Sequence, residues 1–439
     1  MPLESETSFK TRTGAVERVE RPLVLVVATL FWPLSARLAT RLIECGCRVA
    51  AICPKGHYLR CIEGIDHYAS FRSLSVLKSF EGAIRDLQPK LVVPCDDRAV
   101  LLLHELHRKH GDLRHLVEKS LGGASGFELT ECRASLLEVA RSLGIDTPGT
   151  KQISTEEDLC TWFAEGSSAA VLKRDGTWAG EGVAIVRSAQ EAKESFRKLS
   201  RPTALMTACK RLLVNGDPLA LWSRSAQPHP SLILQDYIQG QPANSMVACW
   251  EGKVLSLASV EVLASEGVTG AAFLVRAVES DRFFRDAEVL AERLHLTGFY
   301  GFDYVIEKST RVPYLIEVNP RCTQLGHLPL AGGRDLAAFL CEKLTGAPIE
   351  PHNFSAPPRI VGLYPHAARW SGQCSFPEGV YYDIPQNQPR LLRELMLPIW
   401  PERRWIARLY HHFYPSLRAQ PKEYGPESGQ EDVPVADGM

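Results

Sequence analysis

The sequence has no excess of either charge, no CxxC pair, no GxGxxG turn and no apolar run long enough to span a membrane. Each absence removes a class of protein. Fifty Lys and Arg against 51 Asp and Glu leave a net charge of −1, so no global field draws the chain to nucleic acid. The twelve cysteines are scattered, and without CxxC pairs neither a zinc ribbon nor a thioredoxin-type centre has support. Cys95, after Leu91-Val92-Val93-Pro94, reads as a small core residue. Free thiols fit a reducing compartment, and the expectation is a cytoplasmic protein. The one targeting-like stretch, PLVLVVATLFWPL at 22–34, is short of the roughly 20 apolar residues a membrane span needs. The acids Glu4, Glu6, Glu17 and Glu20 before it are foreign to a signal peptide. No stable membrane insertion is expected, and residues 1–21 read as a disordered tail.

What is present is a globular composition, 45% hydrophobic and 23% charged. At roughly 150 residues per domain, 439 residues suggest about three domains. From 22 to 125, Val-rich runs (PLVLVVAT, CRVAAICP, KLVVPC) alternate with segments of helical periodicity (ARLATRLIECG, SVLKSFEGAIRDLQP, RAVLLLHELHRKHG). Continuous apolar strands separated by helices predict a parallel sheet covered on both faces, an α/β domain. The turn after its first strand, Ala28-Thr29-Leu30-Phe31-Trp32-Pro33, contains no glycine. A dinucleotide pyrophosphate could not approach that backbone closely.

GGASGFELT, at 122–130, reads as a linker, followed by a helix closed by Gly144. Beyond 169 the strands are shorter: AAVLKRD, GVAIVRS, SLILQDYI, NSMVACW, KVLSLASVEVL, FDYVIE and PYLIEVNP. Trp250-Glu251-Gly252-Lys253 predicts a hairpin turn. This half is α+β with antiparallel character. Residues 201–230 read as a helix and a Ser/Pro loop inserted into it. Near the end, Trp405, Ile406, Leu409, Tyr410 and Phe413 share a helix face. The expectation is a closing helix packed on the body, with a partner or membrane surface as the alternatives. From 422 the composition turns Pro-, Gly- and acid-rich, and 422–439 are expected to be disordered.

Three segments carry chemistry. In the first, an apolar strand ends in Lys173 and enters a loop with Gly176, Gly180 and Gly182. Glycines let backbone N–H groups close around phosphate oxygens, and lysine supplies a compact positive charge. No Gly-Lys-Ser/Thr follows, so this is not a Walker A loop. The second is a strand ending at a turn, Leu232 to Gly240. The third is a hairpin, Gly301 to Glu307 and Tyr314 to Arg321, with Asp303, Glu317 and Asn319 among apolar residues. Glu317 and Asn319 are two apart, hence on one sheet face. Hard oxygen ligands gathered in this way suit Mg²⁺, which takes one or two carboxylates and completes its shell with substrate phosphates.

In that order, these parts resemble the ATP-grasp superfamily over about residues 22–350. Biotin carboxylases and D-alanine ligases are similar in these parts, and IEVNPR is the most specific element. The resemblance implies an ATP-grasp fold behind an N-terminal Rossmann-like domain. The implied divisions are an α/β domain at 22–125, a subdomain with the glycine-rich lid at 126–235, one with the metal site at 236–350, and a closing segment at 351–421. It implies Lys173 on phosphate, the loop 176–182 as a lid, and Gln235, Asp236 and Ile238 as the hinge around adenine. Asp303, Glu317 and Asn319 would hold one or two Mg²⁺, with Mn²⁺ an alternative, and Arg321 would face the reacting centre. Where the family often has a lysine before the intermediate helix, this chain has Arg133. Where it has an acid for the ribose, Asn244 or Gln241 would serve. The implied activity is ADP-forming ligation of a small-molecule carboxylate to an amine through an acyl phosphate, in a chain compatible with a homodimer. Bicarbonate activation, as in carboxylases, is the rival enzyme reading, although no biotin-accepting Met-Lys-Met segment occurs. A nucleotide-binding sensor or scaffold is the non-catalytic rival.

Overall fold

The computed structural model describes residues 21–166, 168–175, 182–226, 231–330, 335–349, 358–374, 376–413 and 421–424. Most of the expected tails at 1–21 and 422–439, and Gly176 and Gly180 of the lid, lie outside the described residues. Three sheets follow one another along the chain. The first is parallel, with order β3-β2-β1-β4, built from β1 (Leu23–Val27), β2 (Arg48–Ile52), β3 (Ile65–Ala69) and β4 (Leu91–Pro94). The strands β1, β2 and β4 are the Val-rich runs, and they are buried because helices cover both faces. On one face, Leu25, Val27 and Val92 pack against α2 (Val76–Leu87), α3 (Asp97–Lys109) and α4 (Arg114–Leu121). On the other, Val24, Val26 and Val93 pack with α1 (Leu34–Glu44). The sequence pattern missed β3, whose IDHYA is an exposed-edge strand without an apolar run.

The expected linker at 122–130 is packed structure. Phe127 opens α5 (Phe127–Glu131) and is buried, with the His104 ring 4.5 Å from its own. Its aromatic ring anchors a stretch whose glycines suggested looseness. After α6 (Arg133–Ser142) comes the second sheet, antiparallel, with order β5-β8-β6-β7. Its strands are β5 (Thr150–Ile153), β6 (Ala170–Arg174), β7 (Val183–Val186) and β8 (Leu232–Asp236). Its core is formed with α7 (Glu156–Ala164) and α8 (Ala189–Leu199). The span between β7 and β8 also holds α9 (Leu205–Leu213) and α10 (Ala220–Ala226).

The third sheet has order β13-β12-β9-β10-β11-β14-β15. Its strands are β9 (Gly240–Trp250), β10 (Lys253–Glu266), β11 (Ala272–Val278), β12 (Gly298–Glu307), β13 (Pro313–Asn319), β14 (Ile360–Gly362) and β15 (Tyr381–Tyr382). The β9–β10 turn is the expected hairpin, with Glu251 at φ +48° and Gly252 at φ +80°. One face of this sheet buries α6 and α11 (Asp281–Leu294). The other joins the core of the first sheet through Met246, Ala248 and Val260, together with α12 (Leu336–Thr345). That shared core holds the carboxyl ends of β1 and β4 against the third sheet, which is what assembles the site below.

The chain end departs from expectation twice. After α13 (His366–Trp370), α14 (Pro389–Leu395) and α15 (Trp400–Arg403), α16 (Trp405–Phe413) exposes Trp405, Leu409 and Phe413 rather than packing them on the body; Ala407 is buried instead. Residues 421–424 are ordered, not a tail. β16 (Pro421–Glu423) pairs antiparallel with Ala264–Glu266 of β10, where β9 no longer reaches. A free sheet edge offers unpaired N–H and C=O groups to any segment, whatever its composition. Among the described residues no helix is long and apolar enough to cross a membrane.

Candidate functional site

The site begins at the register of β9, β12 and β13. Asp303 on β12 stands opposite Asn244 on β9 and Glu317 on β13. A bulge skips Ile316, so that Glu317 meets Asp303 while Leu315 meets Tyr304. Asp303 accepts from Asn244 Nδ2 at 2.6 Å and from Asn319 Nδ2 at 2.9 Å. Arg321 Nη2 donates to Asn319 Oδ1 at 3.1 Å, and its Nε donates to Asp97 Oδ1 at 2.7 Å. Asp97 is the first residue of α3, just past β4, so the first sheet contributes a carboxylate to the site. The backbone reinforces that junction, with Cys322 N donating to Pro94 O at 3.1 Å.

The second sheet supplies one further cation and α6 another. Lys173 near the end of β6 is buried. Burial pushes its ammonium down to about 8 against the opposing pull of Glu317. Arg133, at the start of α6, spans the gap between sheets. Its Nη2 donates to Glu317 Oε1 at 2.6 Å and its Nη1 to Asp175 Oδ1 at 3.0 Å and Arg174 O at 3.1 Å. Burial and the Glu317 charge raise the Asp303 carboxyl, whereas burial at Glu317 is outweighed by Arg133 and Lys173, which hold it low. The two carboxyls are therefore driven apart, with Glu317 the firmly ionised one.

The structure thus gathers Lys173 of the second sheet, Asp303, Glu317, Asn319 and Arg321 of the third sheet and its margin, and Arg133 of α6, with Asp97 joining from the first sheet. Gly182 takes φ +81°, a conformation glycine adopts readily, and its carbonyl accepts from Arg174 N at 2.8 Å. Gln235 is buried, with Nε2 donating to Thr150 Oγ1 at 3.3 Å and lying 3.5 Å from Ile316 O, the carbonyl at the bulge. The Asp236 N–H donates to Gly149 O at 2.8 Å, and Ile238 is half-buried just after β8. Of the two residues expected at the ribose, Asn244 donates to Asp303 and Gln241 donates to Val262 O.

A cleft of about 300 Å³ opens over this cluster, lined by Asp303, Glu317, Asn319, Arg321, Arg133 and Asn244 on its polar side. Its other wall is apolar and includes Trp32, Val262, Val275, Leu325 and Tyr424. Lys173, Gln235, Asp236 and Ile238 are not in its lining. Asp97 follows the end of a parallel strand, a position where open α/β sheets place ligands, and that signal was readable in the sequence. Tyr424 had no sequence signal. Among the described residues no group of three or more His, Cys, Asp or Glu is arranged to hold a metal. Two carboxylates and an amide oxygen are instead a partial shell for a hard cation, to be completed by oxygens from a ligand.

Three sheets in this order, with a lysine strand facing an Asp…Glu-x-Asn-x-Arg hairpin, define the ATP-grasp fold. Residues 135–324 match the family model of the ATP-grasp domain. No curated protein matches the sequence. Among solved structures, N5-carboxyaminoimidazole ribonucleotide synthetase in its ADP complex is 17% identical with a TM-score of 0.54, covering 76% of this chain and 79% of that one. The biotin carboxylase domain of the 2-oxoglutarate carboxylase of Hydrogenobacter thermophilus, a dimer complexed with MgADP, ADP and bicarbonate, is 13% identical with a TM-score of 0.55, covering 76% and 72%. The L-amino acid ligase of Bacillus licheniformis is 14% identical with a TM-score of 0.50, covering 77% and 78%. At these identities the likeness is one of fold.

Proposed function

We propose that the protein is an ATP-dependent ligase that activates a carboxylate as an acyl phosphate and joins it to an amine, releasing ADP. The observation that carries this reading is the convergence of Lys173, Arg133 and Arg321 on the Asp303–Glu317–Asn319 cluster. Phosphoryl transfer needs positioning and charge neutralisation rather than a protein nucleophile, and three cations around two carboxylates supply the means. Asp303, Glu317 and Asn319 would hold Mg²⁺, and the fit rests on their hard oxygens on adjoining strands. When bound, such an ion neutralises developing charge on phosphate oxygens. Lys173 and Arg321 would bind the transferred phosphoryl group, Arg133 would hold Glu317 ionised and in place, and Gln235, Asp236 and Ile238 would flank the adenine. The apolar wall of the cleft favours an organic acid or amine over bicarbonate, which has no apolar surface to bury.

The test is ADP release against pooled carboxylates and amines, with mass spectrometry of the product and oxygen-18 in the acid. Label in released phosphate, with ADP as coproduct, is expected. AMP and pyrophosphate would instead establish adenylate chemistry. Unlabelled phosphate would mean plain ATP hydrolysis and favour the sensor reading.

A further inference from the structure

The large apolar side chains that the fold leaves in water are not spread evenly. Met206 on α9 and Trp405 and Phe413 on α16 are 85%, 74% and 67% exposed, and Leu205, Leu213 and Leu409 are each more than half exposed. The two helices adjoin. The Lys210 ammonium of α9 lies 4.3 Å from the centre of the Tyr410 ring of α16, and Arg404 Nη1 donates to Val214 O at 3.4 Å. On α16 the spacing of four brings Trp405, Leu409 and Phe413 to one outward stripe, while Ala407 is buried. Proteins seldom leave an apolar surface of this kind uncovered unless something docks on it.

The charge around that stripe is of one sign. Neither α9, LMTACKRLL, nor α16, WIARLYHHF, contains an acid, in a chain whose acids and bases otherwise balance. Arg211 and Arg403 are held by Asp217 and Glu394. Among the described residues no acid is ion-paired with Lys210, Arg404 or Arg408, and Glu402, just before α16, offsets one of the three at most. Arg408 and His412 each precede a residue of the apolar stripe, so they stand at its edge, and both are exposed. A long cationic side chain in that position reaches outward to phosphate while a tryptophan ring beside it sits at headgroup depth. An apolar centre with a cationic, acid-free rim matches the anionic leaflet of a bilayer, which offers acyl chains beneath a layer of negative headgroups. A second copy of the chain fits less well, because a two-fold contact sets the same acid-free patch against itself and like charge against like.

We propose that α9 and α16 together form a surface that docks reversibly on an anionic membrane, with Met206, Trp405, Leu409 and Phe413 entering the headgroup layer and Lys210, Arg404 and Arg408 meeting its negative charge. The helices lie on the bilayer and do not cross it: nine residues make about 14 Å of helix, well short of the hydrocarbon core. The surface uses no residue of the cleft lining, so it stands or falls apart from the ligase reading.

Vesicle sedimentation with the full chain tests this, using phosphatidylcholine alone and phosphatidylcholine with phosphatidylserine at about 2:1. The protein should pellet with the mixed vesicles and not with the neutral ones, and roughly 1 M salt, where the screening length falls to about 3 Å, should release it. Lys210→Gln and Arg408→Gln should each weaken binding about fivefold, and Trp405→Ser about tenfold or more, all at the parent's melting temperature because these side chains are exposed. Leu74→Ser removes another exposed leucine, outside both helices, and should bind as the parent does. Failure to pellet with either vesicle overturns the proposal, as does equal binding to both. Undiminished binding in folded Trp405→Ser or Arg408→Gln overturns it too, and so does an equal loss in Leu74→Ser. Self-association that Trp405→Ser abolishes, without vesicle binding, would instead assign the face to a second copy of the chain.

Discussion

Arg133 and Glu317, 184 positions apart, form a 2.6 Å ion pair that ties α6 to β13 across the mouth of the cleft. Their side chains are 17% and 21% exposed, so the pair is shielded from water but not sealed. The same guanidinium also holds Asp175, so Arg133 is hydrogen-bonded both to the end of the lysine strand and to the acid hairpin.

Removing that arginine should therefore destabilise the apo protein. Arg133→Met takes from two carboxylates the cation that hydrogen-bonds both of them, and breaking such a pair costs about 3 kcal/mol. Arg133→Lys restores a charge without the two-pronged geometry and should recover part of the loss. Urea unfolding of the three proteins measures this, and a midpoint for Arg133→Met equal to the parent would show that the pair contributes nothing.

Glu317→Gln and Asn319→Ala should lower ADP release by about 100-fold or more while the fold persists, since both residues act on ligand charge more than on the core. Thermal melts and ADP release under saturating Mg²⁺ and ATP are the measurements. Full activity in Glu317→Gln would remove the metal assignment.

Lys173 should trade stability for function. Burial takes its pKa from 10.5 to about 8 in the folded protein. Between those values the unfolded chain carries a proton that the folded one has shed, so stability rises with pH across pH 8 to 10.5. Below pH 8 the full penalty of holding the charge applies, roughly 3 kcal/mol at about 1.4 kcal/mol per unit. Lys173→Met should thus melt at a higher temperature than the parent at pH 7, with the advantage fading as pH climbs through 8 to 10.5, and should lose ATP-dependent turnover. A lower melting temperature at pH 7 would refute the strained-lysine account.

The legible parts of the molecule were those written in local pattern. Val-rich runs gave β1, β2 and β4, and the alternation of polar and apolar residues placed Asp303, Glu317 and Asn319 on a hairpin. Pairings that depend on distant segments were not legible. Nothing near Asp97 announces Arg321, 224 residues away, and nothing in Gln241 announces the Val262 carbonyl that takes its amide. The exposed face of α16 is the converse case: its periodicity marks a sticky surface, but periodicity carries no information on whether a partner surface lies within the same chain.

The last such distant pairing gives a sharp prediction about the cleft. β16 adds to β10 through three residues, Tyr424 N donates to Leu263 O at 2.7 Å, and Tyr424 Oη donates to Val268 O at 3.2 Å. Val268, Thr269, Gly270 and Ala271 form the β10–β11 turn and line the cleft together with Tyr424. The strand therefore pins the turn, and the tyrosine ring completes the apolar wall. Truncation after residue 420 should free the turn, raising amide exchange at 263–271 while leaving the parallel sheet protected. Lost apolar contact at the wall should raise KM for the organic substrate about tenfold, worth about 1.4 kcal/mol, with KM for ATP little changed. Tyr424→Phe keeps the ring and loses only the hydroxyl bond, so it should reproduce part of the exchange effect and little of the KM effect. Unchanged exchange at 263–271 in the truncated protein would show that the C-terminal strand does not hold the turn, and an equal rise in both KM values would place its influence on the whole site rather than on the apolar wall.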